Sequence, residues 1–460
     1  MSRIAVLIIA TDDTNLYIQL QDCWRERIKA HPNIDCYFIK CDPLLDNKVE
    51  LIDDTIYVNC IEDIHYGILF KTLSSIGYVL SDSNPLNESV DYVIRTNLSS
   101  FYNMNRLYEY VMNLPKTGAY HAIEGNHHGY RFGSGCGFIM SKDVAKLLAQ
   151  ANIQDLFNPQ IRWDDVCIGT YLHLQGVRIT GSKRLDITSM DDVNQIHTII
   201  HKMNTDKEQH HIRIKIPDRE KEPQIQRLLN QLYNPGRKIA ITFASNNMKG
   251  TLTRFEKELR DSKLFDEVHA LSEDDFDEEF KKEHLEWVKQ NPRGFGFWLW
   301  KPYFIQRFLK SLQYGDILVY ADAGCTLSSV QGLQGLMERC VYSPFGIFAN
   351  PNCIVQDFTK MDTYYGCEVN PDEYKHKWMI EAGRQIIHKR KNTEYLINKW
   401  WEVCTKQNYH YIDDSPSLLP NLPQFQVHRH DQSIYTLLFH KHGGHPISYE
   451  GIIDATRLRY

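Results

Sequence analysis

The chain is expected to fold as an α/β protein of two successive units, each a mixed sheet with helices on both faces. Three observations predict this. A strand-like run opens the chain at Arg3-Ile4-Ala5-Val6-Leu7-Ile8-Ile9, and another opens at Arg237-Lys238-Ile239-Ala240-Ile241-Thr242-Phe243. After each, helical and short apolar segments alternate, as strands joined by crossover helices do. Finally, 460 residues exceed one compact core but suit two domains of ordinary size.

The apolar stretch Ile4 to Ala10 is seven residues long. It is too short to span a membrane and lacks a small-residue cleavage site, so it reads as a core strand. No later run approaches the roughly 18 apolar residues of a spanning helix. Between the halves, Asp186 to Gly236 is polar and carries the charge cluster Asp218-Arg219-Glu220-Lys221-Glu222. It closes with a helix-like Gln224-to-Tyr233 stretch and then Asn234-Pro235-Gly236. Helix, proline and glycine in that order mark a boundary, which divides the chain into residues 1–235 and 236–460.

A hydrophobic share of 42% and a charged share of 24% describe a soluble globular chain. Lys plus Arg at 52 against Asp plus Glu at 58 leaves a net charge of −6, with no basic footprint for nucleic acid. Eleven cysteines without Cys-x-x-Cys pairs point to reduced thiols and a cytoplasmic setting, the host cytoplasm if the protein is viral, near a membrane surface at most.

In the first half, Tyr92-Val93-Ile94 reads as a buried strand and Asn103 to Val111 as the helix after it. Ser134-Gly135-Cys136-Gly137-Phe138-Ile139-Met140-Ser141 reads as a glycine-rich turn into a strand. Glycine lacks a Cβ, so backbone there can approach a sugar closely. Trp163-Asp164-Asp165-Val166-Cys167-Ile168-Gly169 then sets two acids at the head of an apolar-periodic helix, where the dipole favours negative charge. For one isolated Asp, a helix cap is the plainer account. The pattern recurs late in the second half at His430-Asp431-Gln432-Ser433, which favours a catalytic reading. Adjacent carboxylates push one pKa upward, as suits a general base.

These stretches, with Asp54-Thr55-Ile56 through Phe70-Lys71-Thr72-Leu73 before them, resemble the beta-1,3-galactosyltransferase-like enzymes of the GT-A fold over roughly residues 50 to 180. The resemblance implies a Rossmann-like, nucleotide-diphospho-sugar transferase unit. In that family, three aspartates at the strand end hold a divalent ion against the donor diphosphate. Here those positions are Asn97, Leu98 and Ser99. Neutral side chains bind hard cations far more weakly than carboxylates, so the first unit is expected to work without metal. Arg95, Arg131 or a helix N-terminus would then meet the diphosphate. By the same resemblance Asp165 is the candidate base and Asp164 its neighbour that positions the acceptor, the assignment of the two roles being open. His197 and His201 could share a helix face but lack a third zinc ligand. Because some GT-A enzymes use a late histidine, His201 is a candidate phosphate contact, against the alternative of an ordinary surface histidine. Thr11 and Asp12, just after the first strand, and Thr242 and Ser245, in the matching place of the second half, are further donor-contact candidates.

In the second half, Gly315-Asp316-Ile317-Leu318-Val319-Tyr320-Ala321-Asp322-Ala323-Gly324-Cys325 reads as a buried strand ending in an acid and a glycine. Upstream lies Arg293-Gly294-Phe295-Gly296-Phe297-Trp298-Leu299-Trp300-Lys301-Pro302-Tyr303. Downstream lie Glu381-Ala382-Gly383-Arg384 and His428-Arg429-His430-Asp431-Gln432. The ordered set resembles bacterial and viral capsule-type glycosyltransferases. It implies that Asp322, with Ala323 and Gly324, meets a divalent cation (Mn or Mg) and the nucleotide. It also implies Arg293 and Lys301 on the diphosphate, Glu381 on the donor sugar, and Asp431 as base or acceptor-positioning acid. Taken alone, Trp298 and Trp300 are more often core than sugar platform. His428 and His430 alternate as on a strand, with one ring facing a cleft.

The sequence therefore predicts a bifunctional glycosyltransferase moving sugars from UDP- or GDP-sugar donors to a glycan or glycolipid acceptor in consecutive steps. One alternative keeps a working second unit behind a sugar-binding pseudo-enzyme; another is a carbohydrate-recognition protein without turnover. A sugar-nucleotidyltransferase would need a Gly-rich basic loop after the first strand. Ala10-Thr11-Asp12-Asp13-Thr14 does not supply one, and Ser245-Asn246-Asn247-Met248-Lys249-Gly250 does so only weakly.

Overall fold

A computed structural model of the chain describes residues 2–82, 84–85, 87–127, 129–233, 235–340, 345–442 and 451–456, with backbone alone for 345–352. The chain adopts the expected α/β class and divides into two compact units, Met1–Asn234 and Pro235–Tyr460.

The first unit is built on an eight-stranded sheet of order β3-β4-β2-β1-β5-β8-β7-β9. Its strands are β1 (Arg3–Ile9), β2 (Ile34–Cys41), β3 (Val49–Ile52), β4 (Thr55–Val58), β5 (Val90–Asn97), β7 (Tyr120–His127), β8 (Tyr130–Ser141) and β9 (Thr180–Gly181), with β6 (Ser100–Tyr102) lying outside it. The β1 run is apolar on both faces because the strand is central, with β2 and β5 parallel on either side. Beyond β5, the antiparallel β8 continues the sheet. The helix Asn15–Arg25 starts where Thr14 accepts a hydrogen bond from Tyr17 N–H, and the helix Met104–Met112 starts where Asn103 accepts one from Arg106 N–H.

The polar stretch after Asp186 folds as part of this unit. β10 (Leu185–Ile187) and β11 (His211–Ile214) join β6 in a small sheet. Its apolar residues, among them Ile187, Met203, Ile212 and Leu229, form a satellite core. The helix Glu222–Tyr233 packs on Asn15–Arg25, where buried Arg27 donates to Gln226 and Asn230. A low density of apolar residues hid this core because each contributes from a different short element.

The second unit repeats the arrangement at smaller scale. β12 (Lys238–Phe243) is central, with β13 (Glu267–Leu271) and β14 (Ile317–Ala321) parallel on its two sides. β15 (Thr326–Leu327) follows β14, and then come β16 (Phe345–Ile354) and β17 (Trp378–His388). The sheet order is β13-β12-β14-β17-β16, with β17 antiparallel to β14, and β15 pairs with β18 (Ile453–Asp454). One face packs on Trp300–Ser311, Lys391–Tyr409 and His430–Lys441 through Phe243, Tyr320, Trp300 and Trp400. The other packs on Lys249–Asp261 and Val330–Arg339 through Ala240, Val319 and Ile386.

In both units, then, the first strand lies between the second strand and a later parallel strand, and an antiparallel strand follows. The strand order reverses beside β1 and beside β12, the kind of switch point at which a crevice opens at the carboxyl ends of the strands. Asn97 ends β5 at that edge, and Asp322 follows β14.

Candidate functional site

In the first unit the edge carries one buried ion pair. Arg95, on β5 and 3% exposed, donates through Nη2 to Asp164 Oδ2 and through Nη1 to the Gly135 carbonyl. Asp164 and Asp165 open the helix Asp164–Leu174, which lies against β8. Burial raises the Asp164 pKa, Arg95 opposes that, and Asp165 adds to it. Asp165 is held differently: its Oδ2 accepts from Gly135 N–H at 2.8 Å. Gly135 thus bridges the guanidinium and the second acid with its own backbone. A Cβ there would sit 2.5 Å from Arg95 Nη1 and 2.9 Å from Asp165 Oδ2, so any side chain would displace the two groups.

The neutral positions have partners of their own. Asn97 Nδ2 faces Cys136 Sγ at 3.6 Å, and Ser99 Oγ donates to Glu222 at 3.0 Å, with Arg219 against both Ser99 and Glu222. Asp12 accepts from Lys40 Nζ at 2.7 Å and Gln21 at 3.0 Å, and Thr11 offers its carbonyl to the same Gln21. Arg131 pairs with Glu124. His201 is exposed on the helix Ile196–Thr205. Arg95, Asp164 and Asp165 are therefore brought together; each of the others is engaged elsewhere or faces solvent.

The second unit assembles a different constellation. Lys301 lies in the first turn of Trp300–Ser311, is 3% exposed, and points its ammonium between two carboxylates. Nζ is 3.4 Å from Asp322 Oδ1 and 3.5 Å from Asp431 Oδ2. The Tyr320 hydroxyl also donates to Asp322 Oδ1. The Asp322 side chain keeps 39% exposure, so it faces the crevice, whereas Asp431 is buried with Oδ2 lacking a hydrogen-bond partner. Burial, resisted by Lys301 and helped by Asp322, lifts Asp431 to about 7. Burial works against the charge on Lys301, but the two carboxylates hold its pKa above the ordinary value.

Gly383 lets this happen. Its carbonyl accepts from Asp322 N–H at 2.8 Å, and a Cβ on it would stand 2.6 Å from Asp322 Oδ2. Arg254, which no sequence signal singled out, donates to the carbonyls of Ala323 and Cys325 at 2.8 and 2.7 Å and fixes the turn after Asp322. Gly324 offers its carbonyl to Thr456. Glu381 pairs with Arg384 on β17, and Arg293 pairs with Asp414 at 2.9 Å. Thr242 is buried with Oγ1 unpartnered, and Ser245 Oγ donates to Asn247 at 2.6 Å.

The segment leading into Lys301 is unusual. Gly294, Phe295, Gly296, Phe297 and Trp298 all have positive φ, between 50° and 78°. Such a left-handed turn costs an L-residue roughly 1–2 kcal/mol each. Aromatic packing holds it: Phe297 stacks on His430 with ring centroids 4.8 Å apart, and Trp300 Nε1 donates to the Gly294 carbonyl at 3.1 Å. Trp300 lies in the core against Phe243, while Trp298 tilts over His430.

The strand expected at His428 and His430 is absent. His430 opens the helix His430–Lys441 with φ of 54°, and both rings are buried against the carbonyls of Tyr411 and Ile412 at 2.9 Å. Burial lowers the pKa of both, so they stay neutral. Beside them lies a cavity of about 230 Å³ lined by Lys360, Asp413, Asp414, Asn421, Phe425 and His428. Its rim is pinned by polar contacts. Lys360 binds Asp413 at 3.0 Å, and His410 bridges Ser415 at 2.9 Å and Asp362 at 2.6 Å. Ser415 Oγ gives its own proton to Asp413 at 2.5 Å, so this Ser-His-Asp group serves as a loop clamp.

Among the described residues no three His, Cys, Asp or Glu side chains converge on a common metal position, and no helix is long and apolar enough to cross a membrane. No family model and no curated protein matches the chain. Among solved structures, it is similar to a glycosyltransferase involved in the glycosylation of the major capsid of PBCV-1. That match has 10% identity and a TM-score of 0.32 and covers 49% of this chain and 99% of the other. It is also similar to mouse xyloside xylosyltransferase 1 in its apo form, at 11% identity and a TM-score of 0.26, over 46% and 85% of the two chains. Likeness at this level decides neither family nor chemistry, which rest on the sites themselves.

Proposed function

We propose that the second unit is a GT-A-type glycosyltransferase in which Asp431 deprotonates an acceptor hydroxyl or orients it for attack on the anomeric carbon of a nucleoside-diphosphate sugar. The observation that carries this reading is the Asp431 carboxylate. It is buried, its Oδ2 lacks a hydrogen-bond partner, and it shares one ammonium with Asp322 at the carboxyl edge of the parallel strands. A carboxylate poised near neutral pH suits proton abstraction.

Lys301 and the polypeptide around Asp322 receive the donor. The exposed part of Asp322 suits a magnesium- or manganese-type cation, which commonly takes one or two protein carboxylates and fills its shell with substrate phosphates. Bound with the donor, such a cation supplies charge neutralisation for the leaving diphosphate. The acceptor seat in this reading is the cavity of about 230 Å³ beside His428, whose carboxylates, amide and aromatic ring suit a sugar's hydroxyls and apolar face. Its Asp414 stands 3.7 Å from the ring of His430, the residue before Asp431 in the chain.

We assign the first unit a second, metal-independent transfer. Asp165 serves as base and Arg95 supplies positive charge, supported by the parallel placement of acids at the head of a helix beside a glycine-bearing strand. Two transfers on one chain would add consecutive sugars to a glycan or glycolipid, the first product staying at high local concentration.

The test is a screen of the full chain against common UDP- and GDP-sugars for donor hydrolysis and transfer, with Asp165→Asn and Asp431→Asn beside it. Each variant should abolish one sugar addition and preserve folding. If Asp165→Asn leaves every addition intact, the first unit is a sugar-binding module.

A further inference from the structure

We infer that Cys41 and Cys60 form a reversible disulfide site in the first unit. Their Sγ atoms lie 2.6 Å apart, closer than two unbonded sulfurs normally rest. Cys41 ends β2, and Cys60 comes two residues after β4, the strand that pairs in parallel with β2. The backbone brings the two together: Asp42 N–H donates to the Val58 carbonyl at 2.8 Å, which holds the exit of β2 against the end of β4. Both cysteines are partly exposed, whereas Cys23, Cys36, Cys136 and Cys167 in the same unit are buried. The pair therefore combines proximity with access, and none of the other four has that access.

The electrostatics give the two sulfurs different roles. The contact with Cys41 lowers the Cys60 thiol pKa and burial opposes that, with Lys71 lowering it further, while Cys41 is raised. Cys60, whose ionisation the contact with Cys41 favours, attacks first in this proposal. The oxidant is a small-molecule disulfide of the glutathione type. Cys60 sulfur attacks one sulfur of that disulfide and the other leaves as a thiolate, giving a mixed disulfide on Cys60. Cys41 then loses its proton and attacks the Cys60 sulfur, expelling the second small thiolate. Two protein thiols are oxidised to the disulfide and one small-molecule disulfide is reduced to two thiols, which take up the two protons that Cys60 and Cys41 lose.

The site sits next to polar groups at the strand ends. Lys40, beside Cys41, holds Asp12, and Glu62, two residues after Cys60, holds the buried ammonium of Lys71, which also donates to the Ala10 carbonyl at 3.0 Å. Closing the disulfide ties the Asn59–Glu62 turn to the end of β2 and fixes both pairs in place.

The full chain would be equilibrated with reduced and oxidised glutathione at graded ratios, quenched by alkylation, and digested without reduction. Mass spectrometry should find the Cys41- and Cys60-bearing peptides joined with the loss of two hydrogens, and reduction with dithiothreitol should reverse it. The four buried cysteines should be alkylated only after denaturation. Cys41→Ser should convert the cross-link into a glutathione adduct on Cys60, and Cys60→Ser should slow all modification at Cys41 by at least tenfold. Two results would overturn the inference: both thiols staying free at ratios that oxidise ordinary protein dithiols, or the unmutated chain accumulating the Cys60 adduct without the cross-link.

Discussion

The two units place two acids and one cation at the same topological edge but partner them differently. In the first, each acid has its own partner: Asp164 takes the Arg95 guanidinium, and Asp165 takes the backbone N–H of Gly135. In the second, one ammonium stands between Asp322 and Asp431, and one oxygen of Asp431 is left without a hydrogen bond. The comparison separates two ways of keeping a carboxylate ready in a crevice. In the first unit the guanidinium is committed to one acid and the other is fixed by a neutral backbone N–H, so the geometry is set although two carboxylates face one cation there too. In the second unit the ammonium is shared between the two acids, and burial, with repulsion from Asp322, carries Asp431 to about 7 and makes it titratable where cells operate. Asp322 also offers a negative surface to a donor-bound cation, whereas Asn97 and Ser99 offer none.

The largest expected effect breaks each site at its acid. Asp431→Asn should lower transfer by the second unit about 100- to 10,000-fold, and Asp165→Asn should do the same for the first, read as loss of one product each. If both merely lower the melting temperature, the acids are helix caps, whose dipole contribution is only about 0.3–1 kcal/mol.

Removing the cation from each cluster comes next. Arg95→Met leaves Asp164 buried and unpaired, and breaking a buried pair costs about 3–5 kcal/mol, readable by urea unfolding of the first unit's transition. Lys301→Met strips the ammonium placed between Asp322 and Asp431. Its main signature should be an upward shift in the pH at which transfer sets in.

The wild-type pH profile sharpens the contrast further. A base must be ionised, so second-unit transfer should rise tenfold per pH unit below about 7 and level off above it. Asp322→Asn removes a repelling neighbour and should move that limb to lower pH. Stability runs the other way. Between the ordinary carboxylate pKa and about 7, the unfolded chain has released the Asp431 proton while the folded chain keeps it. Folding stability therefore falls as pH rises through this window. Asp431→Asn should lose that slope and be the more stable protein at pH 8, as thermal melts at two pH values would show.

The smallest effects concern metal and fit. Chelation should suppress donor turnover by the second unit and spare the first; equal loss in both would remove the distinction drawn from Asn97 and Asp322. Gly383→Ala forces a Cβ to within 2.6 Å of Asp322 Oδ2 and should cost roughly 1–3 kcal/mol of stability, visible as a lowered melting temperature.

What could be read without coordinates follows from range along the chain. The strands Arg3–Ile9 and Lys238–Phe243 announce themselves because a central parallel strand is apolar on both faces. The helix heads at Asp164 and His430 are legible because acids before an apolar stretch are a local signal. The clustering of Lys301, Asp322 and Asp431 is not local: the sequence could name each residue but could not show that one ammonium serves both acids. Arg254 carried no signal, since an arginine four residues before a glutamate on a helix looks like an ordinary surface pair. His428 and His430 misled because alternation implies a strand only where the backbone can stay extended, and His430 is left-handed. The satellite core after Asp186 was hidden for a related reason, its apolar residues being dispersed over short elements that meet only in the fold.

The left-handed stretch from Gly294 to Trp298 has a consequence for how this chain can change over time. It is one turn of the wrong chirality for its own building blocks, with glycine at two of its five positions and aromatic residues at the other three. Mirror-image amino acids would occupy it at ease; ordinary ones stay only while His430, Phe243 and Trp287 hold their rings in place. Substitutions in that aromatic cage would let the turn revert to the common hand and carry the lysine away from its acids. Residues that never touch a substrate are thereby bound to a common evolutionary history with the one that would.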